Sequence, residues 1–259
     1  MALWFLVNMV RAEVLKLRKS KSLLITALLF SVGIVVIYYG VLEILHLSSP
    51  AAHGPAGGTA NFNQATDLML FIGAAGAILV GARAGSADVS TGVFRDQVST
   101  GRSRLALFGV RILGGLVFYV PFLLVALAIS LAVTYSLNQG LANPTTRDLE
   151  TAIVAVLITN AFDFLLALGL ATVTNSRSVT TGVLLVWTLF LQRLVSTITY
   201  LGNWRKLLPS EAENALYAHR GGAFGQSVEE AVITAVFVLI GWVVVMLSVG
   251  AIQISKMDA

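Results

Sequence analysis

Residues Phe108 to Tyr135 read FGVRILGGLVFYVPFLLVALAISLAVTY, and Arg111 near the start carries the only charge in the run. The stretch exceeds the ~20 apolar residues that a helix needs to cross a ~30 Å hydrocarbon layer. Lipid offers the backbone no hydrogen-bond partners, so a continuous run of this length satisfies itself as a helix. The strands of a barrel would show as ~10-residue alternating stretches. Outward from 108–135, comparable blocks lie at 22–45, 68–82, 152–173, 179–200 and 231–252. The chain therefore reads as an all-α integral membrane protein with six spans. Residues 1–259 form a single transmembrane domain with no soluble domain left over.

Composition points the same way. Hydrophobic residues make up 57% of the chain and charged ones 12%, with a mean hydropathy of +0.85, outside the range of a soluble domain. The net charge of +4 does not indicate nucleic acid, because the cations flank the apolar blocks and no basic run has interleaved aromatics. Cysteine is absent, which removes disulfides, thiolate metal sites and cysteine nucleophiles. The histidines, His46, His53 and His219, all fall between spans, so a serine nucleophile inside the membrane would have no histidine base. Carboxylates within the spans are scattered rather than clustered for Mg²⁺, and no G-x-x-x-x-G-K-[ST] loop is present. We expect no catalytic residue, no metal site and no bound cofactor, and any ATP hydrolysis would belong to another subunit.

The segment 1–21 carries Leu3, Val7, Val10, Val14 and Leu17 at three- and four-residue spacing, flanked by Arg11, Glu13, Lys16, Arg18 and Lys19. That pattern predicts an amphipathic helix lying in the membrane interface. The following apolar run is too long and too far from the start for a cleavable signal peptide, so it reads as a retained first span. Residues 46–60, rich in Gly, Pro, Ala and Ser, read as a flexible loop. The second span has small residues at Gly73, Ala77, Gly81 and Gly85, a spacing that lets another helix approach closely in lipid.

Cations sort to one side. The N-terminal segment, the connection between spans two and three, Arg177 and Lys256 share it, whereas the other side has few cations and many acids. By the positive-inside rule both termini are cytoplasmic, as an even number of spans also requires.

The polar segment 85–104 contains Asp88, Gly92, Phe94 and Arg95, then Gly101, Ser103 and Arg104, with Arg111 at the base of the third span. It resembles the coupling region of type-2 ABC (ATP-binding cassette) exporter permeases. There an acid precedes a glycine, a basic residue follows three later, and a Ser-Arg pair and another cation close the pattern. Asp88, Gly92, Arg95, Ser103, Arg104 and Arg111 occupy those positions here. Two departures stand out: Gly101 where such permeases often have proline, and Val93 where they often have threonine. The likeness extends to the basic N-terminal helix with Arg11, Glu13 and Lys16, the six spans, and an external segment at 202–227 before the last span.

The resemblance implies a cytoplasmic coupling helix between spans two and three and short external helices before span six. It also implies a homodimer or a heterodimer with a related permease, in a bacterial plasma membrane. Two ABC ATPase subunits, which bind the ATP and Mg²⁺, would dock on it. Val89, Val93, Phe94 and Val98 can enter a groove on such a partner while the charges set register. A lipid-facing positive-inside loop remains an alternative reading of the segment. A non-transporting scaffold and an ion channel remain alternatives for the whole chain.

Away from the span ends stand Asp163, near the middle of the fourth span, and Arg193, in the outer half of the fifth. Charge at that depth normally faces protein or water. They read either as an ion pair or as the lining of a polar pathway. The stretch from Asn203 to Tyr217 resembles the external gate of the same permeases, or else is an interfacial loop with Trp204 and Tyr217 as belt residues.

Overall fold

A computed structural model describes residues 2–90, 92–99, 101–217 and 231–256. The described residues form helices and the turns that join them, with no strand among them. Helix α1 (Ala2–Lys19) precedes a first span, Lys21–Ser48, made of α2 (Lys21–Leu28), a π turn over Leu29–Gly33, and α3 (Ile34–Ser48). Then come α4 (Thr59–Ser90), the short α5 (Val93–Ser99), α6 (Arg104–Ser136) and α7 (Thr146–Thr174). A fifth span, Arg177–Ser196, joins α8 (Arg177–Val186), a second π turn over Trp187–Leu191, and α9 (Gln192–Ser196). A 3₁₀ segment, Thr199–Leu207, leads to α10 (Pro209–Leu216), and α11 (Val232–Lys256) is last. Six of these helical stretches are long and apolar enough to cross a membrane, so the chain is a multi-pass helical membrane protein.

Helices α4 and α7 form the centre. Of the most apolar stretch of each, 72% and 61% is buried, against 11% for α11. The small-residue stripe explains the closeness of α4 and α7. A Cβ on Gly81 would collide with the Phe164 carbonyl oxygen, and one on Gly85 would lie 2.5 Å from the Leu168 oxygen. Lipid is as apolar as leucine, so contact between spans gains most where small residues let backbones meet. Gly169 does the same for α11, where a Cβ would sit 2.9 Å from the Met246 oxygen. The outer surfaces keep exposed apolar side chains such as Ile37, Phe190, Leu194 and Phe237, suited to hydrocarbon.

Hydroxyl and amide groups tie the spans together inside. The Tyr39 hydroxyl lies 2.7 Å from Thr134 Oγ1 and 3.1 Å from Ser130 Oγ. The Tyr119 hydroxyl donates to the Gly73 carbonyl at 3.3 Å, and Asn160 Nδ2 donates to the Met69 carbonyl at 3.4 Å.

The structure departs from the sequence reading in three places. The second span is much longer than 68–82, because α4 continues in both directions from Thr59 to Ser90. The stretch 46–60 is not a flexible loop. Its first residues finish α3, and the Gly57 N–H donates to Leu137 O at 3.1 Å and the Thr59 N–H to Ala142 O at 2.9 Å. A Cβ on Gly57 would collide with the Leu137 and Asn138 main chain, so this glycine marks a close approach rather than freedom. Lastly, Tyr217 is no belt residue: it is fully buried and its hydroxyl donates to Asn63 Oδ1 at 3.0 Å, whereas Trp204 is 74% exposed. Helix α10 carries Tyr217 inward because it packs among α7, α9 and α11, burying Glu211 and Glu213.

Candidate functional site

Four of the charged residues singled out in the sequence, Glu13, Lys16, Asp88 and Arg111, converge at the end of the bundle where α1, the last turn of α4 and the first turns of α6 meet. Helix α1 lies along α6, and Gly114 makes room for it: a Cβ there would be 2.6 Å from Glu13 Cγ. Lys16 Nζ reaches across and donates to both Asp88 carboxylate oxygens at 2.9 Å, while standing 2.6 Å from Glu13 Oε2. From α6, Arg111 Nη2 lies 3.2 Å from Asp88 Oδ2. Asp88, Arg111 and Glu13 are buried, and Lys16 is partly exposed. Two carboxylates and two cations thus make a neutral group, the arrangement that permits charge to be buried at all.

Burial is the largest influence on Glu13 and raises its carboxyl above the ordinary 4.5, working against the attraction and hydrogen bond from Lys16. Because the folded value exceeds the unfolded one, this carboxyl's contribution to stability is full below pH 4.5 and is lost as pH rises through the raised value. The unfolding midpoint of the wild type relative to Glu13→Gln is therefore expected to fall as pH rises from about 4 to about 8. A constant difference over that range would refute the shift.

Below this group hangs α5. Gly92 (φ +76°) and Gly101 (φ +81°) bracket it in left-handed backbone, which glycine adopts without the Cβ clash other residues meet. Val93, Asp96 and Ser99 are exposed on it. The side chains of Phe94 and Arg95 lie outside the described residues. The glycine at 101 is explained locally, since proline is held near φ −65° and could not follow this path. Gly101→Ala is expected to cost about 1–2 kcal/mol and Gly101→Pro more, read as a lowered unfolding midpoint.

The other predicted residues sit apart from one another. Ser103 caps α6, its Oγ accepting from the Ala106 N–H at 3.5 Å. Arg104 Nη1 donates to the Ser255 carbonyl at 3.0 Å, tying the start of α6 to the end of α11. Arg11 is exposed on α1, turned away from Glu13 and Lys16. Asp163 is buried in α7, one turn beyond Asn160. The Arg193 guanidinium lies 4.7 Å from the centre of the Phe71 ring on α4. Helix α4 is thus a neighbour of both intramembrane charges. The rest of the expected external segment, residues 218–227, lies outside the described residues, as does His219.

Sequence reasoning missed two features. It set Glu13 and Lys16 apart from Asp88, although charges flanking apolar blocks were visible; which of them meet depends on the rotation of α1 and α6 about their axes. It also passed over Tyr119 and Asn160, whose signal is an uncharged polar side chain at mid-span. No protein-family model matches this chain, and no curated protein matches it.

Proposed function

We propose that this chain is the membrane-spanning permease subunit of an ATP-driven exporter of the type-2 ABC class. In this reading α1 lies in the cytoplasmic interface, α5 is the coupling helix, and the 3₁₀ segment with α10 forms the outer gate. The permease pairs with a second copy or a related chain and docks two separate ATPase subunits. The carrying observation is α5: a seven-residue helix with Val93, Asp96 and Ser99 exposed, held between two left-handed glycines at the feet of two long spans. A partner that gripped α5 would pull on α4 and α6, and the Lys16–Asp88–Arg111 contacts would pass that movement to α1. Helix α4 carries it on to α7, its principal packing partner.

Asp163 and Arg193, both beside α4, are then the charged residues of the substrate route, which accepts a lipophilic or amphipathic molecule. Affinity purification of the tagged chain in mild detergent tests this. A P-loop ATPase should copurify in a 1:1 ratio with the chain, as two ATPases per permease pair require, and Arg95→Glu with Asp96→Lys should release it. Recovery of the chain alone, with no nucleotide-dependent activity, would sink the reading and favour a channel or a scaffold.

A further inference from the structure

Helix α1 turns its charges two ways. Glu13, the only carboxylate in residues 1–28, faces α6 and is buried in the neutral group with Lys16, Asp88 and Arg111. Arg11, Arg18 and Lys19 are exposed, and so is Lys21 just beyond the helix. At ~100° per residue, Trp4, Val7, Arg11, Leu15, Arg18 and Lys19 fall within about a third of the circumference, opposite Glu13 and Leu17. Trp4, 73% exposed, joins Val7 and Leu15 as the apolar members of that face. The outward face therefore carries cations and apolar groups and no acid.

The same face continues into the first span. Ser20 has extended backbone (φ −80°, ψ 96°), so α1 ends there and the chain sets off in a new direction. Arg18, Lys19 and Lys21 surround that corner, and the exposed side chains of Ile25, Leu28 and Leu29 begin about one turn further on. One turn rises ~5.4 Å, which puts the cations at the depth where the span leaves water for hydrocarbon and lipid phosphates lie. A tryptophan suits that boundary too, its ring among the chains and its N–H among the headgroups.

We infer that the outward face of α1 binds anionic phospholipid, of the phosphatidylglycerol kind, in preference to zwitterionic lipid. Arg11, Arg18, Lys19 and Lys21 attract a headgroup of net negative charge, whereas a zwitterionic headgroup brings a cation of its own into the same field. Trp4, Val7 and Leu15 hold the helix down between the chains. The inference rests on the interfacial placement of α1 proposed above and on nothing about ATP.

The test uses the full-length chain, purified in detergent and stripped of lipid, with binding followed by native mass spectrometry. Dioleoyl phosphatidylglycerol should bind at least about tenfold more tightly than dioleoyl phosphatidylcholine, a ratio that corresponds to about 1.4 kcal/mol. Combining Arg11→Gln, Arg18→Gln, Lys19→Gln and Lys21→Gln should bring the two lipids to within about twofold of each other. All four side chains are exposed, so this variant should keep the wild-type unfolding midpoint. A second measurement, on the wild type in bilayers, reads the place. Dibrominated phosphatidylglycerol should quench the fluorescence that Trp4→Phe removes several-fold more than dibrominated phosphatidylcholine does, and salt at about 1 M should erase the difference. Equal binding of the two lipids, or equal quenching, would overturn the inference. A preference that survives in the quadruple variant would place the anionic lipid elsewhere. Soluble glycerophosphoglycerol competing as well as the intact lipid would overturn the membrane source. Release of a copurifying ATPase by the quadruple variant, with the lipid preference unchanged, would give the face to that subunit instead. The lipid measurements use the chain alone, so failure here and failure of the exporter reading are separable.

Discussion

Arg111→Leu is expected to leave little folded protein. Arg111 is 1% exposed, and its removal leaves the carboxylates of Glu13 and Asp88 facing Lys16 alone. Deleting one member of a buried charge group costs about 3–5 kcal/mol, because the residual charge stays desolvated without compensation. The check is the fraction of monodisperse protein and the unfolding midpoint in a fixed detergent. Arg111→Leu combined with Asp88→Asn should recover much of the loss, since the Glu13–Lys16 pair that remains is neutral. A double-mutant cycle through these two positions should show coupling well above the ~0.5 kcal/mol expected of independent sites. A single variant with the wild-type midpoint would mean that the group contributes nothing.

Gly81→Leu should separate the two central helices. The position has no room for even a Cβ against the Phe164 carbonyl, and the obstacle is main chain rather than a side chain that can rotate away. Overpacking costs about 1–3 kcal/mol in cores that can adjust, and we expect the top of that range or beyond. Gly40→Ala is the control: nothing lies within 4 Å of the place its methyl group would take, so it should be neutral or gain about 0.5–1 kcal/mol from helix propensity. Unfolding midpoints and gel-filtration profiles of the two variants together decide whether the stripe on α4 is a packing surface. If both behave alike, it is not.

The proposed function concentrates on α5, which was readable in the sequence as a short helix within the polar segment 85–104. The reason for each glycine was not readable, because a positive φ is set by the direction in which α4 leaves and α6 returns. Glu13, Lys16 and Asp88 illustrate the same divide. Each was conspicuous as a charge next to an apolar block, but Lys16 and Asp88 are 72 positions apart and no periodicity relates them.

The sequence by itself determined that there are six spans and roughly where each lies, because the transfer of one apolar helix into lipid depends on that helix alone. It also determined the stripe from Gly73 to Gly85, since close approach needs only the absence of side chains. Only the tertiary structure decided that α4 and α7 are central, that Tyr217 is buried while Trp204 is exposed, and that Glu13, Lys16, Asp88 and Arg111 form one group. Hydropathy cannot choose among these arrangements, because in a membrane an apolar face gains as much from lipid as from a neighbouring helix. The choice falls to close packing and a few polar contacts, which exist only once the helices have met.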